Sequence, residues 1–119
     1  MQSNVKDLPI AHEALGEMVR GQDWGGTTSA YMEYPAGLDF APLLEGLEGD
    51  HCQCPHWGYL IEGRIRVNYQ DGAEETVRAG DLYYWPAGHM ILVEESVRMV
   101  EFSPHDQMSQ VLGHVVGKL

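Results

Sequence analysis

Turn signals recur through the middle of this chain too often for long helices to fit between them. Gly25-Gly26, Pro35-Ala36-Gly37, Gly46, Gly49, Gly58, Gly63, Asp71-Gly72, Gly80-Asp81 and Pro86-Ala87-Gly88 fall mostly about 8 to 12 residues apart, the rhythm of an all-β domain. The segments between them suit strands. Residues 27–34 are rich in Thr and aromatic side chains, 56–62 are aromatic and apolar, and 64–69 alternate polar with apolar at the period of a half-buried strand. Asp71-Gly72 tolerates the positive φ of a tight turn, which predicts a hairpin from 64–69 into 76–79. Strands over 82–85, 90–93 and 98–102 complete the set. The end of the chain reads differently: Ser103 is an N-cap candidate, Pro104 suits the first helical position, and Met108, Val111, Leu112 and Val115 recur at helical spacing up to Gly117. The expected order is an N-terminal extension or edge strand over 1–26, a β barrel over 27–102 and an amphipathic helix over 103–119, all in one domain.

Charge narrows the partners. Eighteen acidic against seven basic side chains give a formal net charge of −11, and such a chain lacks the clustered Lys and Arg that displace counterions from phosphate. Nucleic acid and anionic membrane are therefore not expected partners. The first ten residues hold no basic-then-apolar leader, and no apolar run approaches the roughly 18 residues of a membrane span, so the expected location is the cytoplasm. Cys52 and Cys54, the only two cysteines, are separated by one residue, a poor spacing for a disulfide, and read as thiols. There is no Gly-x-Ser-x-Gly elbow, no phosphate-cradling loop before Lys-Ser/Thr and no dinucleotide fingerprint, which argues against hydrolase, kinase and dehydrogenase chemistry.

Two blocks carry a more specific signal. Cys54-Pro-His56-Trp-Gly-Tyr-Leu-Ile-Glu62-Gly63 and Gly80-Asp81-Leu-Tyr-Tyr-Trp-Pro86-Ala-Gly88-His89 resemble the two signature blocks of the cupin superfamily. The first block of that family holds two His one residue apart, then an acidic residue, then a Gly seven positions after the acid. Aligned on Gly63, His56 takes the acidic place, His51 the second His and Gly49 the first. The second block matches at Gly80, Pro86 and Gly88, with Ile91 where its His is expected. The resemblance implies a double-stranded β-helix, or jelly-roll, barrel whose interior holds a divalent metal or an organic ligand. It also implies a homodimer, since small cupins commonly pair through sheet faces or exchanged N-terminal strands.

The altered ligand positions have a geometric remedy. Side chains two apart on a strand share a face, so if position 91 looks inward then His89 does too. His51, His56 and His89 would then form a three-imidazole set suited to Zn, Ni, Fe, Cu or Mn with an open position, with Cys54 a candidate fourth, soft ligand and Gln53 a candidate cavity residue that orients a ligand. Each has a plainer alternative: His51 as a solvated loop residue, His89 as a turn cap, His56 as a hydrogen-bonded core histidine, and both cysteines as small buried hydrophobes. His12, His105 and His114 read as surface or structural residues. On the same strand, Trp57, Tyr59 and Ile61 share the face opposite His56, Gly58 and Leu60, and need a sheet, the helix or a second subunit to pack on. Three functions follow: a metal-dependent enzyme acting on a small, acidic or aromatic molecule, a metal-free ligand-binding or sensor barrel, and an assembly protein whose barrel is a filled core.

Overall fold

The computed structural model describes residues 1–14 and 16–119. Strands β1 (Ile10–Ala14), β2 (Glu17–Trp24) and β3 (Thr27–Tyr34) form a meander; a short helix α1 (Ala41–Leu44) and an irregular stretch lead into β4 (His56–Tyr69), β5 (Glu74–Arg78), β6 (Leu82–Trp85) and β7 (His89–Pro104), and helix α2 (His105–Val116) ends the chain. All pairings are antiparallel, in the order β1-β2-β3-β7-β4-β5, with β6 on the other side of the first half of β4. The architecture is an all-β cupin-type barrel with a C-terminal helix. The N-terminal stretch adds two strands to the chain's own sheet.

Two pairs of expected strands are in fact single long ones. Residues 56–62 and 64–69 form the continuous β4, and 90–93 and 98–102 lie within β7; the two pair from Trp57↔Phe102 to Tyr69↔His89. The ladder is irregular only between Leu60 and Ile65, around Gly63. There the backbone sits at φ +91°, and a Cβ would collide with Ser96 O and lie 2.8 Å from Val97 Cγ1. Only glycine meets both demands, so this residue lets the ladder turn a corner and pass from one wall of the barrel to the other. The alternation expected for β4 holds: His56, Gly58 and Leu60 are buried, while Trp57, Tyr59 and Ile61 are exposed. Met32, Leu60, Ile65, Val67, Trp85, Val93 and Met99 fill the interior.

The helix begins two residues later than its expected cap. Ser103 stays in β7, fully buried, and Pro104 occupies the cap position. Helix α2 lies across one end of the barrel with Met108 inward. His105 holds its start, through its backbone N–H to Gly26 O at 2.9 Å and its Nδ1 against Thr28 Oγ1 at 2.9 Å; His114 Nε2 donates to Glu45 O at 2.8 Å and ties down its end. No helix among the described residues is long and apolar enough to cross a membrane.

Gly72 has φ +90° too, but nothing lies within 4 Å of where its Cβ would sit. Gly72→Ala should therefore cost about 1–2 kcal/mol of conformational strain alone, and Gly63→Ala a further 1–3 kcal/mol or so because the packed ladder must move. Equal losses in chemical denaturation would contradict the corner role of Gly63.

Candidate metal centre

The site is built on the backbone before any side chain enters it. Cys52 and His89, far apart in sequence, form an isolated antiparallel bridge: Cys52 N–H donates to His89 O at 2.8 Å, and Gly88 N–H to Cys52 O at 2.8 Å. His56 starts β4 opposite Trp85 on β6. The His56 and His89 ring centroids lie 5.0 Å apart, and both residues are at most 5% exposed.

Hydrogen bonds engage Nδ1 of each ring, and at His89 they fix the tautomer. His89 Nδ1 is 2.8 Å from Pro86 O, an oxygen that only accepts, so Nδ1 carries the proton and Nε2 the lone pair. His56 Nδ1 lies 2.6 Å from Ser103 Oγ and 3.5 Å from Glu101 Oε2, and its Nε2 faces Cys52 Sγ at 3.6 Å. One donor atom from each of Cys52, His56 and His89 lies within 4.8 Å of the others, the one such group of three among the described residues. Tetrahedral geometry at ordinary Zn–S and Zn–N lengths puts a sulfur and a nitrogen about 3.6 Å apart. The Cys52–His56 spacing meets that requirement, and imidazoles anchored through the far nitrogen are the usual arrangement around a protein-bound metal.

Burial sets the charge state. It lowers both His56 and His89 to about 4, with the neighbouring imidazole adding to the effect at His89, so both rings are neutral with available lone pairs near pH 7. Burial pushes the Cys52 thiol up to about 12, and a coordinating cation would have to displace its proton. The Glu101 carboxyl, buried on β7, is raised to about 7 by desolvation while Tyr83 donates to its Oε1 at 2.7 Å. Gly58 makes that bond available: a Cβ there would occupy the place of the Tyr83 hydroxyl. The donors open onto a cavity of about 70 Å³ that is also lined by His12, Glu17, Tyr34 and the inward side of α2.

A sequence model of the cupin domain matches residues 32–92. The chain belongs to the cupin family. No curated protein matches the sequence. Among solved structures the cupin resembles a Neisseria meningitidis protein (17% identity over 87% of this chain and 99% of that one, TM-score 0.61) and an RmlC-like cupin from Shewanella frigidimarina (17%, 86% and 88%, TM-score 0.60). It also resembles Bacillus subtilis oxalate decarboxylase, in a study of that enzyme's Mn(II) centres, at 21% identity with TM-score 0.62; the match covers 87% of this chain and 30% of the enzyme. At these identities the likeness concerns the fold.

The signature residues of this cupin divide. The structure brings His56 and His89 together, and His89 and Ile91 both line the cavity. His51 stands outside the group of three, its Nδ1 held at 2.6 Å by Gly49 O. Gln53 turns to the loop, donating to Glu48 O at 2.8 Å and Gln70 Oε1 at 3.0 Å. The thiol in the group is Cys52, not Cys54; it is also Cys52, not His51, that is bridged to His89, and consecutive positions on an extended segment face opposite ways, which leaves the His51 ring out. Cys54 is buried with its Sγ 3.5 Å from Pro55 O. His12, Glu17 and Glu101 line the cavity without having been marked by any motif; the alternation of β7 inward at Met99 was the available signal for Glu101.

Between pH 6.5 and 4.5 the unfolded chain protonates both imidazoles while the fold resists until about 4, so acidification favours unfolding; Glu101, which keeps its proton in the fold up to about 7, acts in the opposite sense. In metal-free protein, His89→Gln should flatten the rise of stability with pH in that window by about 1.4 kcal/mol per pH unit. An unchanged slope in urea titrations would contradict the neutral, buried state of His89.

Proposed function

We propose that this cupin binds one divalent transition metal ion through Cys52 Sγ, His56 Nε2 and His89 Nε2, and acts on a small organic acid in the adjoining cavity. The convergence of three donors, each with its other contacts facing away from the common point, carries this reading. Cys52 takes the ligand role that the family pattern suggested for His51. The soft thiolate suits zinc, iron or nickel better than manganese. Bound there, the ion supplies a Lewis acid with an open position that polarises a substrate oxygen or acidifies a water.

The protein's own groups do the rest. Pro86 O and Ser103 Oγ orient the rings, and helix α2 contributes apolar side chains to the wall of the cavity beside them. Deprotonated Cys52 would leave a single net positive charge, which favours a monoanionic ligand. The cavity is under half the ~150 Å³ that holds benzene, which favours a short aliphatic acid over an aromatic one. A cytoplasmic setting suits two buried free thiols.

One observation favours the metal-free binding barrel. The Cys52 thiol already has partners in Cys54 O at 3.7 Å and His56 Nε2 at 3.6 Å, so the cluster is also a satisfied polar core. For assembly we propose a homodimer. Trp57, Tyr59, Leu82, Tyr84 and Phe102 form an exposed apolar face across β4, β6 and β7, with Trp57 stacked on Tyr84 at 5.2 Å; such a patch supports burial against a second copy.

Untagged protein purified without added metal should carry close to one equivalent of a transition metal, lost in Cys52→Ser and His89→Ala and kept in His51→Ala. Metal near zero, unrestored by Zn, Ni or Fe(II), would transfer the reading to the binding barrel. Sedimentation velocity should show a dimer that Trp57→Glu/Leu82→Glu converts to monomer; a wild-type monomer at tens of micromolar would dismiss the proposed face.

A further inference from the structure

Two buried side-chain polar atoms among the described residues have no hydrogen-bond partner, Trp85 Nε1 and His12 Nε2, and both residues line the cavity beside the candidate metal centre. Folded proteins rarely leave such groups unmet, so two orphans on one cavity point to an occupant that supplies their partners. Trp85 is 1% exposed, and its ring sits 5.6 Å from that of His89 and 6.2 Å from that of His56. Its indole N–H can only donate, so it calls for an oxygen acceptor next to the proposed metal. His12 comes from the N-terminal hairpin, where its Nε2 is 4.0 Å from Glu17 Oε1, too long for a hydrogen bond between them. That gap takes a group able both to donate to the Glu17 carboxylate and to meet the imidazole nitrogen, which describes a hydroxyl. A second carboxylate would face Glu17 instead.

From these positions we propose that the cavity recognises a short hydroxycarboxylic acid, its carboxylate toward the metal and the Trp85 indole N–H, its hydroxyl between Glu17 and His12. The proposal rests on the metal centre and names its substrate class. The inner side of α2 offers Met108, Val111, Leu112 and Val115, none of which could pair with a further charge. Glu17 is thus the specificity-determining residue, excluding dicarboxylates by charge, and Trp85 positions the acid.

The experiment is an indole NMR titration of ¹⁵N-labelled, zinc-loaded full-length protein, with zinc content measured on the same sample. The chain has three tryptophans, and Trp85→Phe identifies the Trp85 signal. Adding 3-hydroxypropionate should move that signal saturably, with propionate and malonate each binding about tenfold more weakly. Glu17→Gln, at a half-buried hairpin position, should narrow the malonate deficit without changing zinc content. A Trp85 signal that stays still in zinc-loaded protein, as it would if only water filled the cavity, overturns the hydroxy-acid assignment and leaves the metal centre intact; so does equal binding of all three acids. If zinc does not load yet Trp85 still answers to 3-hydroxypropionate, the metal centre falls and the recognition stands. Neither response would remove both.

Discussion

The pairing of β4 with β7, turned at Gly63, is what the rest of the molecule depends on. His56 opens β4 and His89 opens β7, and along a flat antiparallel ladder these two ends would lie about 40 Å apart, since Tyr69, thirteen positions beyond His56, is the partner of His89. In the barrel their rings are 5.0 Å apart. Curling the ladder through the Gly63 corner achieves this, and the Cys52–His89 bridge then closes the loop that precedes β4 onto the start of β7. Fold and site are in this sense one construction: the residues that hold the wall together also carry the donors.

Low polarity gives the site its character. Two imidazoles kept neutral, a thiol kept protonated and a carboxyl raised to about 7, which gives up its proton only around neutrality, sit in a small volume with little charge among them. The cluster is therefore stable as a core and ready as a ligand set, with one proton to lose from Cys52 on loading. Tyr83, Ser103 and Pro86 supply the outer hydrogen bonds that keep each group in orientation, and Gly58 leaves the room Tyr83 needs. Such arrangements link metal affinity to pH through the thiol, since binding must release its proton.

Much of the architecture was legible in the residues. From Thr27 onward turn spacing located the strands, although it divided β4 and β7 in two and left β1 and β2 unseparated; the alternation in β4 assigned its inner and outer faces, and the two blocks placed Gly63, Gly80, Pro86 and Gly88. What sequence could not reveal was long-range register. Choosing among His51, Cys52, Gln53 and Cys54 depends on which residue of an irregular loop bridges to His89, and no local pattern encodes that. Ser103 shows the same limit. A serine before Pro104 satisfies the rules for a helix cap, but its hydroxyl is claimed by His56, 47 residues earlier in the chain. His12 and Glu17 lacked any motif because they reach the cavity from an edge hairpin that completes the wall.

X-ray absorption at the zinc edge, on protein loaded with one equivalent, tests the central claim most directly. The account predicts one sulfur scatterer at about 2.3 Å and two imidazole nitrogens at about 2.0–2.1 Å, with the remaining position filled by oxygen. A shell of oxygen and nitrogen alone, without sulfur, would contradict it.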